Sequence, residues 1–232
     1  MGSVDNRRID LRGAIFDADG RRIVIALSKG PWDDLLQLAG DGLLVALAQG
    51  MEEPSELARR CAEQLRERTW EGDDDLADQL DAALGKRPAP ILRQLPVDLE
   101  ELAFILEGNP DHGGGRIDVR SGEVWPQAAI DYAREEGEED PDDEDPDRWL
   151  PVCCEGSRAA YGDMEDFIDA LSDEDRADRL SNAISGRGAF HRFKDVLERW
   201  PGELDAWYAF SDERRRGRAR AWLAAAGYSP RP

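Results

Sequence analysis

The sequence predicts a helix-rich α+β fold in which short β-hairpins pack with several amphipathic helices, and three observations carry that expectation. Apolar residues recur at helical spacing in several segments, as in Tyr161, Met164, Phe167, Ile168 and Leu171. Other short stretches place apolar or alternating residues on either side of a glycine turn, the pattern of paired strands. A proline-containing stretch at 85–90, GKRPAP, separates two such groups of elements.

Residues 9–27, IDLRGAIFDADGRRIVIAL, set two apolar stretches around Asp17-Ala-Asp-Gly20, which predicts a hairpin whose turn uses positive φ at Gly20. A helical segment opens at Pro31 and carries Trp32, Leu35, Leu36, Leu43, Leu44 and Leu47, with a break expected at Gly40-Asp-Gly42. Residues 54–69 form a better helix, started by Pro54 and Ser55 and keeping Leu57, Cys61 and Leu65 on one face. A third helix covers 73–84. Residues 1–87 thus read as a small N-terminal α+β extension (hairpin plus helices), 88–96 as a linker, and 97–228 as a second α+β domain.

From Asp98 a helix runs with Leu99, Leu102, Ala103 and Leu106 on one stripe and stops at Gly108-Asn-Pro110. Residues 116–125, RIDVRSGEVW, alternate about Ser121-Gly122, so Ile117 and Val119 share a face of a hairpin. The run 134–148, REEGEEDPDDEDPDR, holds ten carboxylates between two arginines, and self-repulsion without apolar anchors predicts a mobile acidic loop. A strand is expected at 149–154, then helices about Tyr161–Leu171 positions, at 173–185 and at 188–200, the last ended by Pro201. The final helix, 212–226, buries Ala219, Trp222, Leu223 and Ala226 and turns Arg214, Arg216 and Arg220 away. At 100° per residue Arg215 falls inside the apolar sector, so an ion pair with Glu165 or Asp166 is expected.

Charge narrows the function classes. Fifty-one acids against 30 bases leave a net charge of −21, which phosphate repels, so nonspecific nucleic-acid binding is disfavoured and solubility, basic protein partners or nucleic-acid mimicry are favoured. A hydrophobic fraction of 41% with seven tryptophans excludes wholesale disorder. No apolar run approaches the roughly 20 residues a membrane span needs, and the start MGSVDNRRID has no signal-peptide core, so a cytoplasmic protein without membrane partners is expected. Cys61, Cys153 and Cys154 are odd in number, and with His112 and His191 they make no CxxC or HxxxH spacing; reduced thiols, no metal and no cofactor are expected.

Four stretches carry a family resemblance: Ile117-Asp-Val-Arg-Ser-Gly-Glu-Val124; Met164-Glu-Asp-Phe-Ile168; Gly188-Ala-Phe-His-Arg-Phe-Lys-Asp-Val-Leu197; and Trp207-Tyr-Ala-Phe210 before an Arg-rich helix ending in Ala221-Trp-Leu223. In order and spacing they make residues 96–228 resemble a bacterial group known as uncharacterised protein family 0158, with Ser121 standing where the pattern has threonine. The first ninety residues lie outside the resemblance. It implies a compact α+β domain and brings no activity, cofactor or catalytic residue.

Ile15-Phe-Asp17-Ala-Asp19-Gly20 also resembles the nucleophile strand of haloacid-dehalogenase-like phosphatases, with Asp73, Asp74 and Asp75 imitating their metal-binding acids. Arg21 stands where that motif has threonine or valine, and fewer than a hundred residues cannot hold its doubly wound sheet, so the hairpin turn is preferred. The stretch DHGGGR at 111–116 lacks the strand, helix and lysine of a P-loop, and reads as a flexible loop. No serine, cysteine or histidine forms a nucleophile system, so no catalytic residue is assigned. Residues 187–220 hold nine Lys or Arg against six acids, and Arg187, Arg192, Arg199, Arg214, Arg216 and Arg220 form the candidate binding surface. That surface either meets an anionic partner or is neutralised by the acidic loop, the preferred outcome. The expected function is a non-enzymatic cytosolic protein-interaction or regulatory module. The alternative is a nucleic-acid- or nucleotide-associated protein using the arginine-rich helices; the third reading is a phosphate-handling enzyme at Asp17 and Asp19.

Overall fold

Where the sequence suggests a first hairpin, the computed structural model, which describes residues 3–109, 113–137, 145 and 147–231, has two helices: α1 (Ser3–Phe16) and α2 (Gly20–Ser28). The correction has a physical reason. Leu11 and Ala14 lie three apart, as do Ile23 and Ala26, and these four are buried together with Leu27. Asp19 then fixes the corner, because its side chain accepts the Arg22 N–H at 3.0 Å and caps α2, while Asp17 pairs with the Arg22 guanidinium. Gly20 sits inside the helix and not at positive φ. A Cβ there would press on Gln49, Met51 and the backbone of Ala46, so the glycine serves close packing against α3 (Leu36–Ala48). The break expected at Gly40-Asp-Gly42 is absent for the same reason: α3 runs through, and its glycines admit the side chains of Leu76 and Ile23.

Helices α4 (Ser55–Arg68) and α5 (Asp73–Ala83) complete an N-terminal helical layer around a core that includes Leu11, Ile23, Trp32, Leu43, Leu65 and Leu76. The following chain leads into β1 (Arg93–Leu95) and α6 (Leu99–Leu106), which Asp98 caps through the N–H groups of Glu100 and Glu101. The hairpin about Gly122 forms from β2 (Gly115–Asp118) and β3 (Val124–Pro126), with Ile117 opposite Val124 and Gly122 at φ +81°. After α7 (Gln127–Glu135), β4 (Trp149–Val152) adds to the other edge of β2, antiparallel, giving the order β3-β2-β4. Residues 138–144 and 146 of the acidic run, and 110–112 of the glycine-rich stretch, lie outside the described residues.

Helices α8 (Arg158–Asp169), α9 (Glu174–Ile184) and α10 (Ala189–Leu197) follow, and Pro201, in the first turn, opens α11 (Pro201–Ala225). β5 (Tyr228–Pro230) pairs parallel with β1, Gln94 opposite Ser229. With 25 residues, α11 is about 37 Å long and serves two further cores. Its Trp207 joins Met164, Phe167, Phe193 and Leu197; its Ala219 and Leu223 join Leu102, Ile105 and Ile117. The architecture is helix-rich α+β, with eleven helices and five short strands among the described residues. None of these helices is long and apolar enough to cross a membrane.

Candidate functional site

The arginines of α11 follow one another at 213–220 as ERRRGRAR, so at 100° per residue they leave the helix in every direction. Arg220 is fully buried, although its spacing from the apolar stripe predicts a solvent-facing side chain. Its Nε donates to Gln37 Oε1 at 2.9 Å, one terminal nitrogen to Gln79 Oε1 at 3.1 Å, and the other to Asp41. One turn earlier, Arg216 Nε reaches Asp41 at 2.7 Å and its Nη1 reaches Glu100 at 2.9 Å. Burial on its own pushes the Asp41 carboxyl up, but Arg220 and Arg216 outweigh it and hold the group below the ordinary aspartate range.

Glu213 fills a gap in a different helix. Leu35, at the N-cap of α3, has no capping side chain, and Glu213 takes that role from across the fold by accepting the N–H groups of Gln37 at 2.7 Å and Leu38 at 3.2 Å. Arg68 donates to the same carboxylate at 2.9 Å. Burial still keeps the Glu213 carboxyl above its usual value. Asp73, also fully buried, receives two bonds from Arg68, one from Gln37 Nε2 at 2.9 Å and one from the Trp70 N–H at 2.9 Å. Gly72 and Gly217 seal this region by backbone contact: a Cβ on Gly217 would collide with the Glu71 carbonyl oxygen, and one on Gly72 with the Gly217 carbonyl.

The six arginines expected to form a surface separate into different environments. Arg216 and Arg220 enter the network just described; Arg214 binds Asp163 at 2.8 Å and Asp166 at 2.9 Å. Arg192 donates to the carbonyls of Ala183 and Ser185 at the end of α9, and Arg187 and Arg199 are exposed. The expected partner of Arg215 is also corrected. Its Nε lies 2.9 Å from Glu107 Oε2, because the residue that turns toward Asp166 is Arg214, one position and 100° away. Arg218 is shared between Glu107 and Asp163. Among the described residues, the acids that meet the arginines of α11 thus come from α3, α6 and α8 and the residue after α6, while Asp145 of the acidic run pairs with Arg120 at 2.8 Å.

Asp17 and Asp19 are spent on the α1–α2 corner, and Asp73 of the acidic triplet is enclosed by Arg68 and Gln37. Among the described residues no group of three or more His, Cys, Asp or Glu is arranged to hold a metal ion. Apart from Asp73, the amide and carboxylate members of the network belong to no motif in the sequence. A signal existed: in LQLAGDGLLVALA, Gln37 and Asp41 are the polar side chains of an otherwise apolar α3, four apart and so on one face.

Beside the network an open cleft of about 500 Å³ separates α1 and α3 from α6, α11 and β5. Ile15, Phe16, Leu44, Val45 and Leu99 supply apolar wall, and Arg12, Asp41, Glu100 and Arg216 supply polar wall. Phe16 stands at its margin, 92% exposed. A second cleft of about 480 Å³ shares Leu44, Ala48 and Pro230 with the first and continues between α3, α5 and the β1–β5 pair. A small chamber of about 60 Å³, bounded by Arg8, Arg12, Asp212, Glu213 and Arg216, shares Arg12 and Arg216 with the larger cleft and has room for a few water molecules.

A family model described as an uncharacterised protein family, UPF0158, matches residues 98–230. UPF0158 protein PA5073 of Pseudomonas aeruginosa is 31% identical to this chain over 139 residues, which cover 57% of this chain and 84% of that protein. No solved structure matches. The family match begins at the residue that caps α6, so α1 to α5 and β1 all lie outside it.

Proposed function

The chain belongs to the uncharacterised protein family UPF0158, and from that premise we propose that it is a non-enzymatic protein-interaction module of the cytosol, receiving the apolar side chains of a basic protein partner in the cleft between α3 and β5. The observation that carries the reading is the cleft itself. At about 500 Å³ it has the size and the mixed apolar and polar lining of a recognition site, with Phe16 exposed at its margin. The partner's chemistry follows from charge: at −21 this chain repels acidic proteins and steers cationic ones toward it. The nucleic-acid alternative draws on the arginine-rich C-terminal helices, of which Arg214, Arg216 and Arg220 are bound to carboxylates and amides of the same chain, and the same net charge opposes a polyanion. The phosphatase reading needs Asp17 and Asp19 free, and both serve the α1–α2 corner.

A photoreactive amino acid at position 16, used in lysate of the native host, tests the proposal together with the cleft-filling substitution Ala48→Trp. A single nuclease-resistant protein adduct that Ala48→Trp abolishes is the expected result. An adduct that persists in Ala48→Trp, a nucleic acid removed by nuclease, or no adduct at all would each overturn it.

A further inference from the structure

The three apolar cores do not mix across one boundary. The first draws its buried residues from Leu11 to Leu80, and the other two from Leu95 onward. What crosses is of another kind. Arg8 and Arg12 pair with Asp212 at 2.9 and 3.1 Å, Arg68 with Glu213, and Arg216 and Arg220 with Asp41. Trp70 meets Phe210 edge-on at 5.1 Å, and Gly217 abuts the Glu71 carbonyl. Arginine and tryptophan anchors, buried hydrogen bonds, a water-sized chamber and flanking clefts are the anatomy of an interface between two proteins, whereas a domain interior is continuous and apolar.

The contact also has a readable pattern. Gln37 and Asp41, one turn apart on α3, meet Arg220 and Arg216, one turn apart on α11, and Glu213 receives the N-terminus of α3. Every side-chain hydrogen bond of Arg220 and Glu213 among the described residues goes to residues 37–79. Two ionisable residues of the family region, both buried, thus take all these partners from outside the family match. An unpaired buried guanidinium or carboxylate is strongly destabilising, so this face of α11 is built to be covered.

We infer that the Glu213, Gly217 and Arg220 face of α11 is a docking surface for a helical module, and that the N-terminal layer is that module, held in cis. The helix it accepts brings a free N-terminus with glutamine and aspartate four apart in its first two turns. This inference does not rest on the cleft reading, since Gln37, Glu213, Gly217 and Arg220 line no part of the cleft, which shares Asp41 and Arg216 with the contact.

A protease recognition sequence inserted between Arg87 and Pro88 of the full chain severs the two modules without touching their contacts. The nicked protein is expected to remain one particle of full mass by size exclusion with light scattering. Nicked protein made with ¹⁵N, incubated with unlabelled nicked protein, is expected to yield hybrid particles in native mass spectrometry. Asp41→Ala in the nicked protein should raise the dissociation constant roughly a hundredfold or more, and Glu53→Ala, an exposed acid on the same layer, should leave it unchanged. Separation or loss of helical signal on nicking, failure to form hybrids, or an Asp41→Ala dissociation constant equal to that of the parent would each overturn the inference.

Discussion

Arg220 and Gln37 stand 183 positions apart and share a hydrogen bond of 2.9 Å, with the guanidinium wholly removed from solvent. A guanidinium stays protonated in a folded protein, so its burial is tolerable only where acceptors surround it. Gln37, Gln79 and Asp41 supply them.

Arg220→Met keeps an unbranched side chain but removes its charge and its donors, leaving Asp41 with Arg216 alone and the Gln37 and Gln79 amides without their donor. A loss of about 3–5 kcal/mol is expected. Urea unfolding measures it, and a loss under 1 kcal/mol would show that the network is not a principal source of stability.

Glycines at two places on the helices give a paired test. Gly217→Ala drives a Cβ into the Glu71 carbonyl and should destabilise by about 1–3 kcal/mol, as overpacking does. Gly162→Ala in α8 meets nothing within 4 Å and should stabilise by about 0.5–1 kcal/mol through helix propensity. Thermal unfolding of the two variants should move in opposite directions.

The folded-state pKa of Asp41 lies below its unfolded value of about 3.8, so its contribution to stability is complete above that value and disappears as pH falls through the depressed one. Asp41→Asn should therefore be less stable than the parent at neutral pH, and the difference should shrink below about pH 4. Denaturant midpoints measured between pH 3 and 7 would contradict this if the gap widened on acidification.

Thiol labelling should follow exposure. Cys153 is exposed and should react first with iodoacetamide. Cys154 is partly buried with its Sγ 2.7 Å from the Gly108 carbonyl oxygen, and should be slower. Cys61 is buried among apolar residues, burial pushes its thiol up, and it should label only on unfolding. Peptide mass spectrometry over time separates the three; early labelling of Cys61 would show that the N-terminal core opens readily.

Elements that obey one periodicity and one solvent boundary were legible in the sequence: the hairpin about Gly122, the stripe from Met164 to Ile168, the helix begun by Asp98. Errors cluster where a residue serves a distant contact. Asp17-Ala-Asp-Gly20 has the composition of a tight turn, and only the approach of α2 to α3 shows Gly20 as a packing glycine. An apolar stripe implies one buried face and turns Arg220 toward solvent, whereas α11 is covered on two. Arg214, Arg216 and Arg220 of the candidate surface are engaged for the same reason, since carboxylates from α3, α6 and α8 reach them from segments that the sequence order does not connect, while Arg187 and Arg199 stay exposed.

The polar character of the contact between α3 and α11 bears on how the chain is made. Asp41 and Arg220 lie 179 positions apart, so at a synthesis rate of about 5–20 residues per second the aspartate waits roughly 9 to 36 seconds for its arginine. During that interval the first five helices can close over their own leucines, while Gln37, Asp41 and Asp73 stay hydrated until the partner helix leaves the ribosome. A waiting face lined with leucine would collect other unfinished chains; one lined with amides and carboxylates holds water instead, and gives it up only when α11 arrives.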